Sequence, residues 1–412
     1  RSQAWRTLGK VSQAMLQPGD GIALKRGCRF EDPRDRLEVT HSGTEGQPII
    51  VTAYGTGNKP HIISSWWNGA VRVEASYVII DNVSVEGEAK YVSETGHPCA
   101  GTKNDYILGI YLETGSHNNV VQYSEATGFY AGIIVFYDAN HNKIMHNKIV
   151  DNDSMKPNNH GGDDDAGAFA ILLNGNNNEV AYNEIRDHQV CAVEYGTDGA
   201  AVEIYDGSNN SVHHNLAVDN NAFVELGDDE NTPGFPENNT LAFNVVIADN
   251  LRKSFVVNRG IGRFGPVKNT QVLNNSVYYT GDDGSDNSDS RKLNDIILCS
   301  HFCNDNVLEV HNNIFQTGWR AVYTEYPFDR SSNIYWRDDG QPELHFRYEG
   351  WIAESSRIID PGFVDPQQGD LRLREDSPAR DAGSPIQAAL DFGTDFAGNP
   401  LTLPLDIGAY QD

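Results

Sequence analysis

The sequence has few positive charges. Its 31 Lys and Arg residues stand against 58 Asp and Glu residues, which gives a formal net charge of −27 at pH 7. Proteins that bind nucleic acid gain affinity by placing lysine and arginine against phosphates. This balance therefore argues against nucleic acid as a partner. An acidic surface attracts cations and also keeps a secreted protein in solution.

Long apolar runs and several well-known motifs are also missing. No run approaches the roughly 18 apolar residues of a membrane-spanning helix, and no segment has the pattern of a signal peptide. The sequence contains no phosphate-binding loop, serine nucleophile elbow, CxxC pair or HExxH motif. We therefore expect no membrane span and no organic cofactor.

Cysteine is scarce and odd in number, because the chain has only five. At least one cysteine is therefore unpaired or pairs outside the chain. Cys299 and Cys303 bracket a tight Ser-His-Phe turn, and we expect them to form a disulfide. Such a bond suits an oxidising compartment, so we expect a secreted protein, extracellular or periplasmic. The pairing of Cys28, Cys99 and Cys191 stays open.

Short alternating segments separated by glycine and asparagine turns dominate the rest of the chain. Residues 202–206 are echoed by 224–228, and the equivalent glutamates are 225 − 203 = 22 positions apart. Comparable segments lie at 109–112, 132–135, 168–171, 201–204, 223–226, 254–257, 295–298 and 321–324. The turns carry Asn119, Asn142, Asn178, Asn210, Asn239 and Asn306. Asn tolerates left-handed backbone, and stacked Asn amides can form a ladder.

A repeat of one short strand plus turns cannot bury its apolar face alone, so it has to stack on its neighbours. Irregular spacing around a core of about 22 residues indicates a constant coil with inserted loops. Residues 4–16 carry apolar side chains at helical spacing and are stopped by Pro18-Gly19-Asp20. We expect a short capping helix there. From about residue 357 the repeat is lost, which predicts an irregular, docked tail.

Three features together resemble one known group of proteins. They are the Trp5-Arg6-Thr7-Leu8 start followed by Pro18-Gly19-Asp20, the Asn-Asn-x-Val and His-Asn coils, and the closing stretch from Asp360 to Tyr410. The chain resembles secreted bacterial members of the pectate lyase-like superfamily. The resemblance implies an all-β, right-handed parallel β-helix, a single domain over 1–412 with a cap at 1–20 and a tail at about 357–412. It also implies that a carbohydrate lies across one long sheet face.

Glu203 and Glu225 are the first candidates for catalysis. Period-two alternation places both carboxylates on one exposed face, side by side at about one strand spacing of 4.8 Å. Carboxylates in a retaining glycosidase are roughly 5–5.5 Å apart. Like charges this close raise one pKa and leave a protonated acid beside an ionised partner. A cation site and a solvated pair without a role are the alternatives.

Further aspartates surround this stretch. Asp163, Asp164 and Asp165 precede one strand, and Asp198 holds nearly the same place in the next coil. Asp165 and Asp198 are reserve candidates for acid or base. Hard cations prefer six to eight oxygen ligands, so we expect a calcium site that includes Asp164, Asp206 and Asp228. A solvated acidic loop is the alternative.

Arginine and aromatic side chains are candidates for substrate binding. Arg259 lies two positions past the strand site that follows Glu225, with Arg252, Lys253 and Arg263 nearby, and its fork suits a carboxylate or a hydroxyl pair. Structural pairing with acids is the alternative. Tyr111, Phe136, Tyr195 and Tyr205 fall on or beside the same strands and are candidates to stack on sugar rings. One of His213 and His214 should face inward, whereas His160 and His188 lie in loops that border the site.

These residues leave three functions open. We expect a monomeric glycoside hydrolase that uses Glu203 and Glu225. The first alternative is a cation-dependent lyase that acts on a uronic acid polymer. Alginate lyase and chondroitinase B are similar in fold and use a Lys base, an Arg and calcium, but here Leu226-Gly227-Asp228 stands where that Lys is expected. The second alternative is a carbohydrate-binding or adhesion β-helix without activity.

Overall fold

The alternating segments of the sequence form short strands in the structure. The structure is a computed structural model that describes residues 5–32, 35–92, 96–162, 164–228, 234–249, 253–280, 295–338, 342–348 and 352–411. The chain divides into two units, Arg1–Glu203 (unit 1) and Ile204–Asp412 (unit 2). The boundary falls within one strand, Ala200–Tyr205. The predicted single domain over 1–412 stays a prediction.

The described part of unit 1 contains three parallel sheets, and the chain visits them in the order first, second, third. The strands of the first sheet are β1 (Gly21–Lys25), β4 (Ile49–Tyr54), β7 (Val78–Asp81), β10 (Val120–Gln122), β13 (Lys143–Met145) and β16 (Glu179–Ala181). The second sheet contains β2 (Arg29–Phe30), β5 (His61–Ser64), β8 (Ser84–Gly87), β11 (Glu125–Thr127), β14 (Lys148–Val150) and β17 (Glu184–Arg186). The third contains β3 (Leu37–Val39), β6 (Val71–Val73), β9 (Leu108–Leu112), β12 (Ala131–Val135), β15 (Phe169–Leu173) and β20 (Ala200–Tyr205). A hairpin of β18 (Val190–Ala192) and β19 (Gly196–Asp198) precedes β20.

Unit 2 repeats the same plan in its described residues. Its first sheet contains β21 (Ser211–His213), β24 (Thr240–Ala242), β27 (Thr270–Leu273), β30 (Leu308–His311) and β33 (Asp329–Ser331). The second contains β22 (Leu216–Val218), β25 (Val245–Ala248), β28 (Ser276–Tyr279), β31 (Ile314–Thr317), β34 (Ile334–Trp336) and β36 (Arg357–Ile358). The third contains β23 (Ala222–Gly227), β26 (Ser254–Asn258), β29 (Asp295–Cys299), β32 (Arg320–Thr324) and β35 (Glu343–Phe346).

Identical register positions stack along each sheet and form the core. In unit 1, Ile110, Ile133 and Ile171 occupy one row of the third sheet and are buried. This is the geometry of stacked coils that each contribute one strand to each sheet. The predicted fold class, an all-β right-handed parallel β-helix, is confirmed. No helix of the described chain is long and apolar enough to span a membrane.

Asparagine ladders satisfy the backbone at the turns. In unit 1 the backbone N–H of Asn119 donates to Asn142 Oδ1 (2.9 Å), and that of Asn142 donates to Asn178 Oδ1 (2.8 Å). The left-handed residue is the one before each ladder position, such as His141 with φ 58°. Asn306 lies in a turn, as predicted, but the ladder expected there is wrong: the residue is exposed and its N–H donates to Asn304 Oδ1.

A second ladder was not predicted and runs the length of unit 2. Its members are Asn215, Asn244, Asn275, Asn313 and Asn333, each N–H donating to the next Oδ1 at 2.9–3.0 Å. Buried amides paired in this way leave few backbone groups without a partner. The ladders therefore fix the coil while the loops between strands vary in length.

A short helix precedes the coils, and a tail with its own short elements follows them. Helix α1 spans Leu8–Ser12, a shorter range than the predicted 4–16, and Thr7 caps it. The tail contains the hairpin β37 (Phe363–Asp365) and β38 (Asp370–Leu373), a 3-10 turn at Pro366–Gln368 and helix α2 (Gln387–Leu390). Its apolar residues pack on unit 2 in two clusters, one of which joins Phe363 and Leu371 to Ile314. These contacts agree with a docked tail, whereas the predicted bounds of the tail and of the single domain stay a prediction.

Candidate active site

Three loops of unit 1 connect strands of the second sheet to strands of the third. They are 88–107, 151–168 and 187–199, and we call them the loop cluster. A disulfide between Cys99 and Cys191 joins the first loop to the third, with their Cα atoms 5.6 Å apart. Lys103 Nζ bonds Asp153 Oδ1 at 2.7 Å and joins the first loop to the second. The loop cluster is thus cross-linked by bonds that are distant in sequence.

Polar side chains of the middle loop hold the third loop. Asn158 Nδ2 donates to the carbonyl of Cys191 (2.9 Å), and Asn158 Oδ1 accepts from the N–H of Val193 (3.0 Å). Asp165 Oδ2 accepts from the N–H of Glu194 (2.9 Å), and Glu194 Oε2 accepts from the N–H groups of Asp164 and Asp165 (2.8 and 3.2 Å). Asp165 therefore fixes the loop, which favours a structural role over the predicted catalytic one.

The third loop ends in the hairpin that presents Asp198. Residue Asp198 pairs with Val190 across β18 and β19 and is half-buried. The next residue is Gly199, with φ 139°, and a Cβ there would lie 2.6 Å from the carbonyl oxygen of His188. Only glycine fits this approach. The chain therefore passes directly from Asp198 into β20, which carries Glu203.

Glu203 occupies the outer row of the third sheet in unit 1. The register aligns Glu38, Arg72, Tyr111, Ile134, Leu172 and Glu203. Glu203 is only 6% exposed, so the prediction of an exposed face is wrong at this position. Strand alternation alone predicts exposure because it takes no account of the inserted loops. That Glu203 and Glu225 stand side by side stays a prediction of the sequence repeat.

An aromatic group lies beside these carboxylates. The ring of Tyr130 is 4.6 Å from that of Tyr106 and 5.4 Å from that of Phe169, centroid to centroid. Burial raises the pKa of Tyr130 well above its usual value, and the nearby Tyr106, Glu203 and Asp198 raise it further. The negative charges of Glu203 and Asp198 therefore act on the same buried phenol.

Tyr111, a predicted substrate contact, belongs to a different network of unit 1. Its hydroxyl donates to Glu113 Oε1 (2.8 Å), and Arg72 Nη2 binds Glu113 Oε2 (2.6 Å). These bonds hold the pKa of Glu113 below its usual value despite partial burial, which acts in the opposite direction. Tyr111 is buried, so its placement favours a structural role.

Tyr195 and His188 make packing and hydrogen-bond contacts that favour structural roles. Tyr195 packs on a small apolar cluster that includes Met155 and Val190. His188 does not border an open site, because it is wholly buried: its Nδ1 accepts from the N–H of Asn152 (3.2 Å) and its Nε2 lies 3.1 Å from the carbonyl of Ile149. His188 thus takes the place of an asparagine in a ladder.

In unit 2, Glu225 pairs with Arg259. Arg259 Nε donates to Glu225 Oε1 at 2.7 Å, and its Nη2 also contacts that oxygen. Glu225 is 8% exposed, again less than predicted. The guanidinium groups of Arg259 and Arg263 lie 6.0 and 4.6 Å from the ring centre of Phe264. An arginine that already holds a carboxylate is the structural alternative that the sequence left open.

The remaining residues of the predicted site in unit 2 are largely enclosed. Lys253 is 0% exposed and its Nζ donates to the carbonyl of Asp219 (3.0 Å), which favours a structural role instead of substrate contact. The ring of Tyr205 lies against Gly227, where a Cβ would come within 2.7 Å of Tyr205 Cζ. Arg252 lies outside the described residues.

Only one of the predicted metal ligands, Asp164, belongs to a cluster of carboxylates in the described residues. In the described part of the chain, Asp164, Asp165 and Glu194 bring carboxylate oxygens within 4.8 Å of one another. Glu194 was not predicted, and Asp206 and Asp228 of unit 2 are not in this group. Asp163 lies outside the described residues. The calcium site stays a prediction.

The fold places the protein in the class of parallel β-helix proteins. It is similar to a GH136 lacto-N-biosidase from Eubacterium ramulus (14% identity, TM-score 0.54, 87% of this chain and 65% of that one). It is also similar to pectate lyase Pel9A (13%, 0.55, 98% and 90%) and to a DFA-IIIase from Arthrobacter chlorophenolicus A6 (14%, 0.50, 80% and 77%). The chain thus spans less than two thirds of the lacto-N-biosidase. No family model and no curated protein matches the sequence.

Sequence reasoning missed Tyr106, Tyr130, Glu194 and the Cys99–Cys191 bond. Tyr106 and Tyr130 each stand just before a strand of the third sheet, outside the alternating segments on which the prediction rested. Cys99 and Cys191 lie in inserted loops, 92 residues apart. Both cysteines lie in loops between the second and third strands of a coil. This shared position in the repeat was the signal from which their pairing could have been predicted.

Proposed function

We propose that this protein is a carbohydrate-active enzyme that hydrolyses a glycosidic bond, with Glu203 and Asp198 as its acidic groups. One observation carries the proposal: Asp198 ends the hairpin that leads directly into β20, the strand that carries the buried Glu203. In agreement with this placement, both carboxylates raise the pKa of the buried Tyr130. Glycoside hydrolysis commonly uses two carboxyl groups, one as acid and one as base or nucleophile. Aromatic rings supply flat apolar surfaces on which sugars stack.

Three lines of support come together here. The repeat pattern of the sequence singles out Glu203 together with Glu225, and Asp198 is one of the reserve candidates for acid or base. The charges of Glu203 and Asp198 both raise the pKa of Tyr130, which supports their pairing. The three similar structures named above are a lacto-N-biosidase, a pectate lyase and a DFA-IIIase. At 13–14% identity that likeness is one of fold, and fold alone does not give the reaction. The acidic pair is therefore what favours hydrolysis in this proposal.

A uronate lyase is the second candidate, favoured by one observation in unit 2. Arg259 and Arg263 both lie over Phe264, and a cationic group there suits a sugar carboxylate. Lys253, the lysine of the predicted site, is wholly buried, which argues against it as a base. Tyr130 is also a poor base, because its pKa lies far above the usual value. Hydrolysis is therefore preferred.

Two disulfides and an acidic composition agree with a secreted protein. The pair Cys299–Cys303 was predicted and is confirmed, whereas Cys28 is free. We propose that the protein works outside the cytoplasm, as a monomer, on a carbohydrate and not on nucleic acid.

The test is a screen followed by substitution. Pectin, alginate, xylan, inulin and galactan are assayed for reducing ends and for ultraviolet-absorbing unsaturated ends. On the substrate that is cleaved, Glu203→Gln and Asp198→Asn should each lower kcat by roughly 10²–10⁴-fold, the usual contribution of acid–base catalysis. Both changes keep side-chain size, so the melting temperature should change little.

Glu38→Gln is the matched control. Glu38 lies in the same outer row, five strand spacings or about 24 Å from Glu203, and Arg36 binds its Oε1 at 2.7 and 2.9 Å. This variant loses an ion pair but should keep full activity. Full activity of Glu203→Gln, or products with unsaturated ends, would overturn the proposal of a hydrolase.

A further inference from the structure

Tyr130 is held in place by its backbone and by its ring. Its N–H donates to the carbonyl of Ile107 (3.0 Å), and its carbonyl accepts from the N–H of Phe169 (2.7 Å). A Cβ on Gly167 would come within 3.1 Å of Tyr130 Cδ2, so the ring fills the space that this glycine leaves. The ring of Tyr106 packs on it at 4.6 Å. Its position is therefore fixed before any substrate binds.

The hydroxyl of Tyr130 differs from those of two other buried tyrosines, Tyr111 and Tyr335, which donate within the protein. Tyr111 donates to Glu113 (2.8 Å) and Tyr335 donates to Asp329 (2.6 Å). Within the described residues, no hydrogen bond engages the Tyr130 hydroxyl, although the side chain is only 7% exposed. Tyr130 is not among the residues with a buried side-chain polar atom that lacks a partner, so its hydroxyl is open to solvent although the rest of the side chain is buried. A donor that is fixed in place, open to solvent and not engaged inside the protein is available to a ligand.

We propose that the Tyr130 hydroxyl donates a hydrogen bond to the carbohydrate, at an oxygen of the sugar unit held by Glu203 and Asp198. This inference rests on the proposed function and adds a neutral donor to its two carboxylates. The two acids can accept from sugar hydroxyls, whereas Tyr130 supplies a donor at a fixed point on an aromatic wall. A sugar oxygen aligned with it is bound in one orientation.

The donor keeps its proton throughout. The pKa of Tyr130 is raised well above its usual value by burial and by the neighbouring charges, so the phenol stays neutral at working pH. Tyr130 therefore positions the substrate and transfers no proton. A variant without the hydroxyl should bind and cleave less well, but the pH values at which activity rises and falls should not move.

Tyr130→Phe removes only the hydroxyl and is the variant to test. On the polysaccharide that is cleaved in the screen, kcat/KM should fall roughly 10–100-fold, the effect of one lost hydrogen bond to substrate. The melting temperature should not fall, because no bond inside the protein is lost. Tyr335→Phe is the matched control: it removes a paired hydroxyl in unit 2, so it should lower the melting temperature and leave kcat/KM unchanged.

Three outcomes would overturn the proposal. Tyr130→Phe with unchanged kcat/KM, beside an inactive Glu203→Gln, would remove Tyr130 alone and leave the proposed function standing. Loss of the alkaline limb of the pH profile in Tyr130→Phe would make the phenol a proton-transfer group. Full activity of Glu203→Gln would defeat the proposed function and this inference together. A 10–100-fold loss with an unchanged pH profile supports the inference.

Discussion

The two disulfides of this protein differ in the length of chain that they close. Cys99–Cys191 of unit 1 joins loops that are 92 residues apart, and these loops carry Tyr106 and Asp198. Cys299–Cys303 of unit 2 closes a turn of only four residues. The long-range bond assembles a site from separate loops, whereas the short one shapes a single turn. Loop-borne functional residues need such cross-links because loops are otherwise the mobile part of a fold.

The short turn of unit 2 nevertheless supports its neighbours. The carbonyl of His301 accepts from the N–H of Ile261 (2.9 Å), and the N–H of His301 donates to Glu325 Oε1 (3.0 Å). A Cβ on Gly260 would collide with the carbonyl oxygen of Ser300, so this approach requires glycine. The turn therefore packs against the segment that follows Arg259 through a backbone hydrogen bond and a close approach at Gly260.

The largest expected effect comes from cutting the long-range bond. In the entropic picture a disulfide that closes a loop of 92 residues stabilises by about 4.5 kcal/mol. Cys99→Ser with Cys191→Ser should lower the free energy of unfolding by about that amount in urea titration. Activity at low temperature should fall at least tenfold, because Asp198 and Tyr106 are no longer tied together. Full activity would show that the Asn158 bonds hold the loops alone.

The matched control cuts the short bond. Cys299→Ser with Cys303→Ser releases a loop of four residues, for which the same picture gives about 2 kcal/mol. Activity should stay within a factor of about two, since the loop cluster is untouched. If this variant loses as much activity as the first, the turn in unit 2 is part of the site.

The next largest loss of stability is expected from a buried aromatic contact of unit 2, compared with an exposed aromatic stack of unit 1. In unit 2, Phe392 of the tail packs on His213 and Phe243, with ring centres 4.9 and 5.8 Å away. In unit 1, Tyr123, His146 and Tyr182 stack at 5.1 Å spacing and are exposed. Phe392→Ala should cost about 3 kcal/mol, and Tyr182→Ala about 1 kcal/mol. Equal losses by urea titration would contradict this contrast.

Two buried histidines, one in each unit, make the free energy of unfolding depend on pH in the acid range. Burial lowers the pKa of His188 to about 3 and that of His214 to about 4. Both are neutral in the folded state, whereas the unfolded chain takes up their protons below about pH 6.5. Their contribution is therefore complete above pH 6.5 and is lost as the pH falls towards their folded pKa. At pH 5 each loses about 2 kcal/mol.

His188→Asn should flatten this dependence in unit 1. Asn183 accepts from the N–H of Asn147 (2.9 Å) and donates to the carbonyl of Ile144 (2.9 Å). His188 makes the equivalent two bonds at the corresponding position of the neighbouring ladder. Asparagine therefore fits the position without a titrating group. Urea titration at pH 7 and pH 5 measures the change, and an unaltered difference between these pH values would contradict the assignment.

Local patterns account for what the sequence predicted well. Alternation and asparagine spacing act within one coil, so they predicted the parallel sheets and most of the first ladder. The Cys299–Cys303 bond was predictable because four residues of chain determine its geometry. The tail was recognised because the repeat stops.

Long-range contacts account for what the sequence did not predict. Glu203 is buried although strand alternation predicts an outward, exposed carboxylate, because alternation contains no information on what packs over a strand. His188 was assigned to an open loop because a histidine in a ladder has no repeat of its own type. Tyr130 and the Cys99–Cys191 bond depend on how separate insertions meet in space.

The smallest expected effect concerns calcium, which the sequence predicts. The carboxylates of Asp165 and Glu194 already accept hydrogen bonds from backbone N–H groups (2.8–3.2 Å). These bonds close the loop, and they leave fewer free lone pairs on the oxygens for binding a cation. Exposed Asp164 completes the group. Added calcium should therefore raise the melting temperature by only a few degrees, by stabilising the state that binds it. Asp164→Asn should remove that increase, and Asp391→Asn, an exposed acid at the end of α2, should not. A wild type that responds neither to calcium nor to chelator would contradict the predicted site, and would leave the loop cluster held by its disulfide and backbone bonds.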